Sequence, residues 1–313
     1  PFFSTSSTLI PLSLTMSEFK NIKVRQKDKN GKINLVPAKN EITIKMVMNH
    51  TAGFPFEIPT KCKKGWCGLS IRDTAKEAAA NPILFEPGTR DQYSNTGIDI
   101  GAAVIEVVTK QPWDVFLKER VLDPLGMKDT TFVPTDEQLK NSISMYKILK
   151  DKPAEFTLFN NWMPLPHNGP TVFPSAGAGL WTTVNDQLKF YKMLMNLGVG
   201  DNGVRILKEE TVKNLLATST RPLKMGGYSL GLSASGDGWF GHGGAWNTNC
   251  KVNWKTKRLQ LWAVQLLDAE NGSWHKDYRK AVDEFFNGNA EKGEDKYVGR
   301  TKEKRLDCKK MNR

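Results

Sequence analysis

Residues 85–132 read FEPGTRDQYSNTGIDIGAAVIEVVTKQPWDVFLKERVLDPLGMKDTTF, and the rest of the chain is read outward from this stretch. Pro87-Gly88 marks a turn. Beyond it Ile98, Ala102, Ile105 and Val108 recur at helical spacing, which predicts an amphipathic helix between Asn95 and Thr109. A second helix is expected over about 112–121. It opens on Pro112, tolerated in a first turn because that N–H has no partner anyway. Pro124-Leu125-Gly126-Met127 closes the unit.

Upstream, residues 18–36 are polar and basic, with a turn at Asn30-Gly31. Ile42–Met48 fits either a strand or a short helix. As a helix it would be capped by Thr43, run to about His50 and be terminated by Gly53 and Pro55. Ser70 is placed to cap a helix reaching about Ala80, with Asp73 at the reciprocal capping position. Downstream, 134–175 is rich in loops. Helices are expected at about 184–196, with Leu188, Tyr191, Leu194 and Met195 on one face, and at about 208–217. After Gly226 the texture becomes that of strands, over Tyr228–Ser235, Phe240–Trp254 and Leu259–Leu266. A helix from about Trp274 to Phe286 is expected to close the domain. Helices in the middle, antiparallel strands and a terminal helix together give an α+β fold with a helical subdomain. No internal repeat is visible.

Bulk properties narrow the function classes. The 313 residues are 39% hydrophobic and 25% charged, ordinary globular usage. No stretch approaches the roughly 18 apolar residues of a membrane helix, so no membrane span is expected. A net charge of +12 invites a nucleic-acid reading. However, the basic cluster at 292–313 is interspersed with acids and lacks stacking aromatics, so no specific nucleic-acid partner is expected. Residues 1–17 read as an irregular remnant, 18–287 as one domain, and 288–313 as a basic, disordered extension. Cys62 and Cys67 flank a turn-like stretch and could form a local disulfide in an oxidising compartment. Zinc would need two further ligands that are not nearby, so neither a metal nor a cofactor is expected.

Three places could carry chemistry. Tyr93-Ser94-Asn95 stands at the mouth of the main helix. The phenol could move a proton if a nearby cation lowered its pKa, and the Asn95 amide could hold a carbonyl. Read in isolation, Asn95 as a helix cap is the simpler account. His242-Gly243-Gly244-Ala245 falls in a predicted strand. Its paired glycines suit either a bulge or a close approach that leaves the Ala245 N–H free for an oxyanion. Ser175-Ala176-Gly177-Ala178-Gly179-Leu180 is a small-residue run that could pass tightly by a pocket wall or another element. It is no phosphate loop, since no Gly-Lys-Ser/Thr follows.

In this order the segments resemble the serine β-lactamase, penicillin-binding protein and related esterase superfamily, over about residues 18–286. The most specific stretches are 42–55 (ITIKMVMNHTAGFP) and 85–132, with the small-residue run and HGGA in support. The resemblance implies acyl transfer: an S-x-x-K serine attacks a carbonyl, and a Y-x-N motif and a K-T-G-like strand assist. By position, Tyr93 would be the proton-transfer tyrosine and Asn95 the substrate-facing amide. His242, Gly243 and Gly244 would form the third motif, with the Ala245 N–H an oxyanion donor. Histidine in place of lysine there removes a permanent cation, which favours esters or small acyl substrates over β-lactams.

The nucleophile is where the chain departs from this pattern. S-x-x-K occurs at Ser17–Lys20, Ser144–Lys147 and Ser273–Lys276. The first precedes a polar run instead of an apolar helix, the second follows the tyrosine motif out of order, and the third reads as a helix cap. The expectation is therefore a sequence that starts downstream of the nucleophile, in a serine hydrolase of esterase type. The alternative is a non-catalytic relative that binds a peptide or acyl ligand in the same cleft.

Overall fold

The structure, a computed structural model, describes residues 9–56, 70–147, 155–156, 173–217, 227–267 and positions 280, 281 and 284. The chain divides into two compact units, Pro1–Leu267 and Asp268–Arg313. The first holds everything discussed below. In the second, Lys280 and Glu284 stand one helical turn apart with their charges 3.9 Å from each other. The Cys62–Cys67 stretch, most of the expected closing helix and the tail beyond 288 lie outside the described residues.

The first unit begins with α1 (Leu12–Thr15), a 3-10 turn (Ser17–Asn21) and the hairpin β1 (Lys23–Lys27) and β2 (Ile33–Pro37). Of the two readings open for residues 42–48, the helix is correct. The helix α2 spans Ile44–Met48, and the Thr43 hydroxyl accepts from the Met46 N–H at 3.2 Å. The next helix, α3 (Ile71–Ala80), is capped by Ser70 as the sequence predicts: its hydroxyl accepts from the Asp73 N–H at 3.0 Å.

The central helix α4 spans Asn95–Thr109. Its burial differs from the expected single stripe, because Val108 is exposed and residues 99–104 are buried without a break. Two glycines explain this. A Cβ on Gly97 would lie 3.1 Å from the Val47 carbonyl, and one on Gly101 would lie 2.6 Å from the Met48 sulfur. Thus α2 crosses α4 on a side that a periodicity count treats as solvent-facing, and a helix enclosed on several sides loses its amphipathic signature. Around this crossing Val47, Ile71, Ala75, Ile100 and Ala103 form the first of two apolar cores.

Beyond α4 the helix expected at 112–121 runs longer. It comprises α5 (Trp113–Leu117), a π-helical turn (Lys118–Leu122) and α6 (Asp123–Leu125), ended by left-handed Gly126. The loop-rich region contains α7 (Asp136–Lys140) and two short strands, β3 (Tyr146–Lys147) and β4 (Glu155–Phe156). Then come α8 (Val184–Met195) and α9 (Glu209–Ala217), close to the predicted bounds.

The C-terminal strands are β5 (Ser233–Ala234), β6 (Trp239–Gly243), β7 (Asn249–Asn253), β8 (Arg258–Trp262) and β9 (Leu266–Leu267). A four-stranded antiparallel sheet has the order β5-β6-β7-β8, while β9 pairs with β3 in a second sheet. The single strand expected over Phe240–Trp254 is thus two strands joined by a turn. Gly244 accepts from the Asn247 N–H at 2.9 Å, and Asn247 is left-handed with φ 63°. Phe240, Cys250 and Val252 join Met193, Leu194 and Val212 in the second core. Helices with sheets whose strand pairs are antiparallel, except for the parallel pair β3–β9, make an α+β fold. Among the described residues no helix is long and apolar enough to cross a membrane.

Candidate active site

The loop that enters α4 is built against the segment 50–56. His50 O accepts from the Gln92 N–H at 2.9 Å, and Phe56 O accepts from the Asn95 N–H at 3.0 Å. The Ser94 hydroxyl donates to Pro55 O at 2.6 Å while accepting from the Gly97 N–H at 2.9 Å. Ser94 is therefore the helix cap, and the capping role open to Asn95 is overturned. This leaves the Asn95 carboxamide, on a residue only 6% exposed, with no hydrogen-bond partner among the described residues.

Opposite Asn95 runs the small-residue segment, and of its two expected tight approaches the one to another element is observed. Asp99 on α4 accepts from the Ser175 hydroxyl at 3.0 Å, the Ala176 N–H at 2.8 Å and the Gly177 N–H at 3.2 Å.

Tyr93 and His242 meet, with the Tyr93 hydroxyl 3.5 Å from His242 Nε2. The α4 loop and β6 thus bring together residues 149 positions apart. Gly243 ends β6, while Gly244 and Ala245 begin the exposed turn that follows. The reading of HGGA as one strand segment is corrected accordingly. Moreover β6 is an inner strand, between β5 and β7, and Ala245 lies beyond its end, in the turn. Gly244 lies close to Thr248, whose hydroxyl would stand 2.4 Å from an added Cβ.

Two members of this cluster were not legible as site residues. His50 is 2% exposed, and its ring centroid lies 4.4 Å from that of Tyr93 and 4.5 Å from that of Tyr228. Its Nδ1 accepts from the Ser94 N–H at 3.2 Å, and its Nε2 has no partner among the described residues. The backbone there is left-handed, φ 64°, a conformation costly for histidine and retained only where surroundings enforce it. Tyr228 is 5% exposed and places its hydroxyl 2.7 Å from His242 Nε2. The HTAG stretch could have pointed to His50, while Tyr228 gave no signal beyond a strand-like run.

The electrostatics are those of a neutral pocket. Burial, then repulsion from His242, lowers the His50 pKa to about 4. Burial also pulls the His242 imidazole down, against a contact with the Gly243 carbonyl that raises it. Tyr93 is shifted up by burial alone. The condition the sequence reading attached to Tyr93, a nearby cation that lowers its pKa, is thus not met by the described residues, where burial shifts this phenol upwards.

None of the serines in the three S-x-x-K matches joins this cluster among the described residues. Ser17 and Lys20 are exposed on the 3-10 turn, which instead buries Phe19. Ser144 is exposed ahead of β3, and Ser273–Lys276 lies outside the described residues.

The family model described as Beta-lactamase matches residues 33–259. The chain belongs to the beta-lactamase family. Within the β-lactamase-like serine hydrolase superfamily, the chain is 32% identical over 183 residues to Protein Rv1367c of Mycobacterium tuberculosis, covering 56% of this chain and 44% of that protein. It is 26% identical over 217 residues to a putative D-alanyl-D-alanine carboxypeptidase of Escherichia coli O157:H7, covering 64% and 49%. The chain thus spans less than half the length of these curated relatives. Among solved structures, EstCE1, a hydrolase with promiscuous acyltransferase activity, superposes with a TM-score of 0.65 at 19% identity, covering 83% of this chain and 74% of that one. That likeness is one of fold, and it agrees with the β-lactamase/transpeptidase-like architecture.

Proposed function

We propose that the intact protein is a serine hydrolase that works by acyl transfer on an ester or small amide. In this reading Tyr93 passes the proton between nucleophile, leaving group and water. The Asn95 carboxamide holds the acyl chain, and the turn at Gly243-Gly244-Ala245 offers the Ala245 N–H to the developing oxyanion. A serine supplied to this cleft loses its proton as it bonds to the acyl carbon, and the bond from that carbon to the leaving oxygen or nitrogen breaks as the leaving group takes a proton. Water then releases the acid.

The observation that carries the proposal is the meeting of the Tyr93 hydroxyl and His242 at 3.5 Å, at the loop that leads into Asn95 and the start of α4. The choice of a neutral substrate rests on the two imidazoles, both of whose pKa values are lowered, so that neither is a permanent cation to pair with a carboxylate.

The test is a comparison of the intact protein on a chromogenic acetate ester and on a peptide ending in a free carboxylate. Turnover of the ester, at a kcat/KM well above that for the anionic peptide, is expected. Preference for the peptide would overturn the substrate class. A second reading, a non-catalytic relative binding a peptide or acyl ligand, is favoured by one observation: the exposed Ser17 and Lys20 make no hydrogen bond to the Tyr93 cluster. It predicts ligand binding to the intact protein without turnover of either substrate.

A further inference from the structure

His242 stands before two phenols. Its Nε2 lies 2.7 Å from the Tyr228 hydroxyl and 3.5 Å from that of Tyr93. Its other nitrogen, Nδ1, contacts the Gly243 carbonyl oxygen. A carbonyl only accepts, so Nδ1 must carry the hydrogen, and a neutral imidazole then has a single lone pair, on Nε2. Two hydroxyls face one acceptor, and the distances give it to Tyr228. A separation of 2.7 Å is a well-formed bond with a hydroxyl donor, whereas 3.5 Å is at the outer limit.

We infer that Tyr228 is a positioning residue: by donating to His242 Nε2 it occupies the only lone pair of that imidazole and so keeps the Tyr93 proton available to the acyl cleft. The catalytic half of this inference rests on the acyl-transfer reading; the Tyr228–His242 bond does not. Geometry around Tyr228 supports a fixed role. It is 5% exposed, meets the His242 ring edge-on at 89°, and packs against His50 at 4.5 Å. Burial, first among several causes, drives its phenol far above the usual range, so it remains a donor at any working pH. Among the described residues the titratable groups facing His242 are Tyr228, Tyr93, His50 and, directly across the ladder on β7, Cys250.

Without Tyr228 the lone pair falls to Tyr93, which would then be held by its neighbour instead of serving the substrate. A donor at Nε2 also favours the neutral ring, so its loss should raise the His242 pKa.

The test uses the intact protein labelled with 15N in histidine only, with the His242 signals assigned by their loss in His242→Gln. Long-range 1H–15N spectra report which ring nitrogen carries hydrogen and whether the other accepts a bond. The parent is expected to show Nδ1 protonated and Nε2 bare but hydrogen-bonded. Tyr228→Phe should move the Nε2 signal and Tyr93→Phe should leave it nearly in place. A parent carrying its hydrogen on Nε2 would overturn the inference even if no variant folds, and so would a signal that responds to Tyr93→Phe instead. In ester turnover, Tyr228→Phe should lower kcat about threefold to tenfold, the worth of one hydrogen bond, with KM unchanged and a new acid limb in the pH profile. An unchanged kcat and pH profile would overturn the catalytic half. Intact protein that turns over no ester, yet keeps the parental spectrum, sinks the acyl-transfer reading and leaves the Tyr228–His242 bond standing.

Discussion

Gly177 backs onto Asn95 so closely that an added Cβ would lie 3.0 Å from the Asn95 Cβ and 3.1 Å from its Cα. The Asp99 carboxylate, one turn along α4, holds that approach by accepting from the N–H groups of Ala176 and Gly177. The small-residue segment is therefore pinned to the helix that carries Asn95. Gly177→Ala should cost about 1–3 kcal/mol through overpacking against backbone that cannot retreat. Asp99→Asn should cost about as much, by weakening hydrogen bonds to a charged acceptor. Urea unfolding measures both. Gly236→Ala is the control: it has open space around it and should stay within about 0.5 kcal/mol of the parent. A Gly177→Ala protein as stable as this control would mean that the segment moves freely.

His50 gives the fold a dependence on acid. Its pKa is 6.5 as a free side chain and about 4 in the folded protein, where burial is the leading cause. The unfolded chain therefore binds the proton more readily. Stability is fully present above about pH 6.5 and is lost as pH falls towards 4, by about 3 kcal/mol. His242, shifted in the same direction, adds to the trend. His50→Asn should flatten the slope over this window, and asparagine is among the residues that best tolerate the left-handed backbone at that position. Denaturant titrations at pH 7.5, 6 and 4.5 check it; a parental slope in the variant would contradict the assignment.

Cys250 should be chemically silent. It is 2% exposed on β7, and burial raises its thiol pKa to about 12. Thiolate is the reactive form, so alkylation of the native protein at pH 8 should leave the Cys250 peptide unmodified, whereas alkylation in urea should label it. Rapid native labelling would show that the second core opens far more readily than its packing implies.

Much of this arrangement is legible in the residues, and the exceptions share a physical cause. Caps written as serine or threonine ahead of a helix are local, which is why Thr43 and Ser70 are found where the sequence puts them. Tyr93 and His242 could be named together because motif order pairs them, and the structure brings the two side chains into contact. Asn95 reads as a cap because Ser94, its neighbour, competes for the same position, and tertiary packing decides that the Ser94 hydroxyl is the group that reaches the Gly97 N–H. The buried faces of α4 were hidden because Gly97 and Gly101 carry no apolar signal yet admit α2. His50 and Tyr228 act through contacts across 43 and 14 residues or more, between rings that no local pattern links. The turn after Gly243 was missed because the residues on either side of it are equally strand-like.

The most direct test of the central claim is the effect of Tyr93→Phe on ester turnover by the intact protein. The variant keeps the ring that packs on His50 and loses only the hydroxyl that stands 3.5 Å from His242. If that hydroxyl transfers the proton, kcat should fall by about 10²–10⁴-fold with little change in KM. Robust turnover with kcat unchanged in Tyr93→Phe would contradict the account.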